Sequence, residues 1–175
     1  KRIARIKEMI DQLNSIKKDI IALKDHPALL GWGIGNELNL RATNNKVWDA
    51  VQNIAAMIHE CDPNHPTTTM LSEIGKGEVD YIAANCPDID FLCVQMYGDI
   101  INLPKRLSDA GYTGPYIVSE WGATGHWEVG LTDWKAPIEQ TSTEKASAIA
   151  ERYEKAILAD TNNCMGSYVF LWGQK

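Results

Sequence analysis

The sequence predicts an α/β protein built on a parallel sheet, on three observations. Short apolar runs recur along the 175 residues. Stretches of helical period separate each run from the next, and strands joined through helices run parallel. The runs are apolar almost throughout, as in a sheet covered on both faces.

Each element follows from local pattern. Residues 2–24 carry Ile3, Ile6, Met9, Ile10, Leu13, Ile16, Ile20 and Leu23 at helical spacing. Asp25-His26-Pro27 ends that helix, because proline disfavours helical geometry in the residue before it. Residues 28–35 read as a short, glycine-rich apolar strand, and 45–60 as a helix with Val47, Val51, Ile54, Ala55 and Ile58 on one face. A turn over Asp62 to Pro66 leads to a strand over 67–72, and a helix follows over 77–85. Phe91 to Tyr97 is an apolar strand, 103–110 a short helix, Gly111 to Gly114 a turn and 115–120 a strand. Residues 121–142 have no regular pattern. Thr141-Ser142-Thr143-Glu144 has the form of a capping box that opens a helix to about residue 160. Gly166 to Trp172 is the last strand.

Two architectures accommodate five parallel strands: an open doubly wound sheet and a barrel of strand–helix units. A full barrel takes about 250 residues. With 175 residues, a helix first and a bare strand last, the chain matches the latter part of a barrel. A single partial barrel domain over residues 1–175 is therefore expected.

Composition narrows the function. Apolar residues make up 45% and charged residues 23%, as in ordinary globular domains. A net charge of -6 gives no basic footprint for nucleic acid or an anionic membrane. No apolar run is long enough to span a bilayer. Cys61, Cys86, Cys93 and Cys164 lack metal-site or disulfide-framework spacing. His26, His59, His65 and His126 lack the spacing of a metal motif, so neither metal nor cofactor is expected. Gly31-Trp32-Gly33-Ile34-Gly35 hints at a dinucleotide loop, but Asn39 to Asn45 intervene before any helix.

The chemistry points to two glutamates. Glu37 and Glu120 each end a predicted strand, and in a parallel barrel all such ends open on the face where active sites sit. Paired carboxylates at that face are the equipment for cleaving a glycosidic bond. Asn36 adjoins Glu37 and suits a sugar hydroxyl. Trp121 and Trp172 stand at strand ends, where an indole face suits the apolar face of a pyranose. Trp127 and Trp134 lie in the long segment 121–142, which reads as an ordered wall over the site. Glu73 and Asp99 also follow strands and read as loop acids in water. His126 reads as a surface histidine.

At these residues the chain resembles the clan A glycoside hydrolases, including the barrels of families 2 and 5. His26-Pro27-Ala28-Leu29-Leu30-Gly31-Trp32 to Asn36-Glu37 is similar to their acid/base strand, and Ser119-Glu120-Trp121-Gly122 to their nucleophile strand. Ser167 to Gly173 resembles their closing strand, with Trp172 as sugar platform. Tyr97 matches the place of an aromatic near the nucleophile. The resemblance numbers these strands four to eight of a TIM barrel and implies a retaining β-glycosidase. Glu120 is then the nucleophile, Glu37 the acid/base, and Asn36, Tyr97, Trp121, Trp127 and Trp172 bind substrate. The partner is an oligosaccharide or polysaccharide. The rest of the barrel, and any accessory β domains, are expected in a longer protein. A periplasmic or secreted location would fit. A transglycosidase, a non-catalytic carbohydrate-binding barrel and an inactive fragment are the alternatives.

Overall fold

The computed structural model of the chain describes residues 2–171 and contains the expected alternation. Helix α1 spans Arg2–Leu23 and strand β1 spans Trp32–Asn36. A short helix α2 (Leu38–Arg41) and a long α3 (Lys46–Cys61) lead to β2 (Thr67–Ser72). Helix α4 (Lys76–Asn85), β3 (Phe91–Gln95), α5 (Leu103–Ala110) and β4 (Tyr116–Trp121) follow. Helix α6 (Ser142–Arg152) and β5 (Cys164–Val169) complete the order.

The five strands form one sheet in the order β1-β2-β3-β4-β5, and every pairing is parallel. A doubly wound sheet would reverse its order partway. Sequential order is that of a partial TIM barrel.

The strands divide their side chains between two faces. Leu92 and Val94 of β3, Tyr116 and Val118 of β4, and Leu71 of β2 are buried in the main core. Helix α3 adds Trp48, Val51, Ala55 and Ile58 to that core. Each such aliphatic side chain contributes about 1.5–3 kcal/mol on burial. The alternate residues Phe91, Cys93 and Ile117 gather with Met70 in a second cluster on the opposite face. That face also carries Gln95, two positions beyond Cys93.

Several boundaries differ from expectation: the short helix α2 falls at Leu38–Arg41, where no helix was expected before residue 45, and β3 ends at Gln95 rather than Tyr97. Strand β1 starts at Trp32, because Leu29 N–H bonds back to His26 O and Ala28 N–H to His26 Nδ1, which makes 26–29 a turn. Helix α6 opens on the expected capping box at Thr141 and Glu144, but past Arg152 it widens into a π turn over Tyr153–Ile157. Strand β5 runs from Cys164, and Trp172 lies outside the described residues.

Asp62, just past α3, pins the lower end of β1 and is 1% exposed. Its carboxylate accepts from the Trp32 indole N–H (2.8 Å) and the Asn64 N–H (3.2 Å), and His65 Nδ1 lies 2.8 Å away. Burial opposes the charge, but these bonds outweigh it and hold the carboxyl below its usual range. A depressed folded pKa gives stability that is complete above the unfolded value of about 3.9 and is lost as pH falls through the folded one. Asp62→Asn in the full-length protein should therefore lower Tm at pH 7, with the gap to wild type closing as pH falls below about 4. A gap independent of pH would show that the carboxylate charge contributes nothing.

Candidate active site

The site is assembled where the strands end. At β1 the chain must leave the sheet within two residues. Gly35 takes φ 75, and an added Cβ there would meet the Leu38 side chain. Glu37 takes φ 49, an uncommon conformation for a residue with a side chain and a recurrent one at functional sites. Its N–H donates to Met70 O at 3.0 Å, which ties it to the end of β2.

Glu120 lies inside β4, and its carbonyl accepts from Met96 N–H at 3.0 Å. Its Oε1 accepts the Tyr97 hydroxyl at 2.6 Å. Burial, then the charge and hydrogen bond of Glu120, then Glu37 and Glu128, push the Tyr97 phenol far up. The phenol therefore remains a donor at neutral pH and holds one Glu120 oxygen in place. Glu37 and Glu120 line one cavity of about 310 Å³, together with Gln95, Tyr97, Trp127 and Glu128.

In the segment after β4, Trp127 and Glu128 wall the cavity, and Trp134, 77% exposed, does not. Trp127 meets Tyr97 edge-to-face at 5.1 Å and is 62% exposed. Glu128 anchors this wall: it accepts from Gly98 N–H at 2.9 Å and from Gly125 N–H at 2.7 Å. Behind it, the buried Arg152 donates to Gly122 O (2.7 Å) and Thr124 Oγ1 (2.8 Å). A second link crosses the segment, where Leu131 bridges Pro137.

The sequence-derived residues divide accordingly. Glu37, Glu120, Tyr97 and Trp127 come together at the cavity. Asn36 points its amide oxygen at Gln95 Nε2, 2.7 Å away. Trp121 is not at the cavity: it is 3% exposed, belongs to the main core, and stacks beneath the exposed Tyr153 at 6.1 Å. Register irregularities in β4, between Val118 and Trp121, accompany that inward placement. Trp172 lies outside the described residues. Glu73 and Asp99 are not solvated singly, since Arg106 bridges them at 2.8 and 3.3 Å. His126 is exposed and lies edge-on to Trp127. Gln95, Arg106 and Arg152 did not stand out in the sequence. Only Gln95 carried a signal, as the sole polar residue in the run Phe91–Gln95.

The family model for glycosyl hydrolases family 2, TIM barrel domain, matches residues 6–173. No curated protein matches the chain. Among solved structures, it is similar to a β-D-glucuronidase of Dictyoglomus thermophilum, with a TM-score of 0.62 and 18% identity over 90% of this chain and 28% of that one. A family 2 β-galacturonidase of Eisenbergiella tayi, bound to galacturonate, gives a TM-score of 0.64 and 16% identity over 91% of this chain and 29% of that one. A family 5 mannosidase of Rhizomucor miehei gives 0.56 and 18% over 90% of this chain and 45% of that one. The chain thus spans less than a third of the length of the glucuronidase and of the galacturonidase.

Proposed function

The chain belongs to glycosyl hydrolase family 2, within its TIM barrel domain, and on that premise we propose that it carries both catalytic carboxylates of a retaining β-glycosidase. The observation behind this is the shared cavity: Glu37 from β1 and Glu120 from β4 line it from the same end of a parallel sheet.

A Glu120 oxygen attacks the anomeric carbon while the bond to the leaving oxygen breaks. Glu37 gives that oxygen its proton. The glycosyl-enzyme ester is then opened by water, which yields a proton to Glu37 as the Glu120 carboxylate departs. Tyr97 holds Glu120 through one oxygen, so the other faces the sugar. Retention calls for carboxyl groups about 5–5.5 Å apart in the complete barrel, and inversion for about 6.5–9.5 Å. The remaining strands, and any accessory β domains, belong to the rest of the full-length protein. The relatives named for glucuronides, galacturonides and mannosides make a β-linked hexoside or hexuronoside the substrate class to try first.

The deciding experiment is a panel of 4-nitrophenyl β-glycosides offered to the full-length protein, with the product anomer followed by NMR. Release of a β-anomer first supports the proposal. Release of an α-anomer first would mean inversion and remove Glu120 as nucleophile. No cleavage across the panel would end the glycosidase reading.

Trp127 supplies an apolar face at the cavity, edge-to-face with Tyr97. Trp127→Ala should raise KM about tenfold and change kcat less than threefold, the pattern of lost uniform binding. An unchanged KM would take Trp127 out of the substrate site.

A further inference from the structure

Glu128 lines the cavity beside Glu37 and Glu120, yet its carboxylate is taken up by backbone. Its Oε1 accepts Gly98 N–H at 2.9 Å. Its Oε2 accepts Gly98 N–H at 3.1 Å and Gly125 N–H at 2.7 Å. An ionised carboxylate only accepts, and bonds to it are the stronger, charge-assisted kind. Glu128 therefore joins two loops that follow different strands, since Gly98 comes just after β3 and Gly125 just after β4.

The neighbour of Gly98 shows what the join holds. Tyr97 donates its hydroxyl to Glu120 at 2.6 Å. Strand β3 ends two residues earlier, at Gln95, and Met96 N–H still reaches Glu120 O. Tyr97 stands one residue beyond that bond, where the chain leaves the sheet. The Gly98 N–H belongs to the Tyr97–Gly98 peptide, so Glu128 grips the backbone at the tyrosine itself.

A grip positions something only if its own base is fixed. Gly125 O accepts Glu128 N–H at 2.9 Å, which together with the bond from Gly125 N–H closes a turn over 125–128. Arg152, 7% exposed, roots the segment at Gly122 O and Thr124 Oγ1 and reaches Gly98 O at 3.4 Å. The fit at Gly98 is close: an added Cβ would meet Glu128 Oε1 at 2.8 Å.

We infer that Glu128 is a positioning residue for Glu120: by fixing the Tyr97–Gly98 peptide it sets the Tyr97 hydroxyl on one Glu120 oxygen and leaves the other aimed at the anomeric carbon. The inference rests on the glycosidase reading and adds a residue that acts through Tyr97 rather than on the sugar.

The test is a double-mutant cycle in the full-length protein, read in kcat on the 4-nitrophenyl β-glycoside cleaved fastest in the panel. Trp127 adjoins Glu128 and acts on KM, so kcat isolates the path through Tyr97. Glu128→Ala should lower kcat on the order of tenfold, the effect of a reacting group held slightly out of place. In a Tyr97→Phe background the hydroxyl is already gone, and Glu128→Ala should lower kcat less than about twofold. Gly98→Ala keeps the carboxylate in the chain and pushes it off the peptide. It should reproduce both effects, and it carries the test where Glu128→Ala fails to fold. The same loss with and without the Tyr97 hydroxyl, or no loss from either variant, would overturn the inference and leave Glu128 a support for its loop alone. If wild type cleaves nothing in the panel, the glycosidase reading itself has failed, and this inference falls with it.

Discussion

Glu120→Ala in the full-length protein should reduce turnover of every glycoside by at least about 10⁵-fold, because the proposed nucleophile is gone. The substitution removes the acceptor of the Tyr97 hydroxyl as well. That lost bond costs about 1–2 kcal/mol, too little to unfold a barrel whose strands remain paired on both sides of β4. Unchanged circular dichroism should accompany the lost activity. Azide offered with a 2,4-dinitrophenyl glycoside then fills the space of the missing carboxylate. It attacks from the same side, displaces the leaving group once, and gives an α-glycosyl azide. A β-azide from this variant would exchange the roles of Glu37 and Glu120. Activity within tenfold of wild type would place the chemistry elsewhere.

The route to those two glutamates was open in the sequence because the strands are legible. Apolar runs between helices gave the parallel order, and a carboxylate just past or within the last turn of a run inherits the barrel's functional face. Side-chain direction was less legible. Trp121 follows Glu120 directly and read as a sugar platform, yet it turns into the core against Tyr153. Facing depends on the pleat, and β4 departs from regular register between Val118 and Trp121. The residues 28–31 failed as a strand for a different reason. They are apolar, but the His26 ring and carbonyl capture the Ala28 and Leu29 N–H groups and hold a turn. Long-range polar pairs were out of reach. Arg106 meets Glu73 across 33 positions of sequence, and Arg152 meets Gly122 across 30. Nothing in local composition marks those partners, because the sheet alone brings them together.

Glu37→Ala is the prediction that separates the two carboxylates most sharply. On the proposed mechanism Glu37 acts twice, first as acid and then as base, and substrates differ in how much they need each act. A methyl or unactivated disaccharide substrate leaves as an alkoxide without protonation, so its kcat/KM should fall about 10²–10⁴-fold. A 2,4-dinitrophenyl glycoside leaves as a stable phenolate, so its first step should fall less than about tenfold. The second step still needs a base. The glycosyl ester on Glu120 should accumulate, seen as a burst of phenolate followed by slow turnover. Azide needs no base. It should enter the space left by the Glu37 side chain, which lines the same cavity as Glu120, and restore turnover with the dinitrophenyl substrate. Attack on the ester inverts the carbon a second time, so the product should be a β-glycosyl azide. Loss of the same size on activated and unactivated substrates, with no azide effect, would mean that Glu37 only supports the end of β1. The left-handed backbone at Glu37 supplies an internal control. Glu37→Gly removes the carboxylate and relaxes that backbone, so it should show the same leaving-group dependence with stability unimpaired.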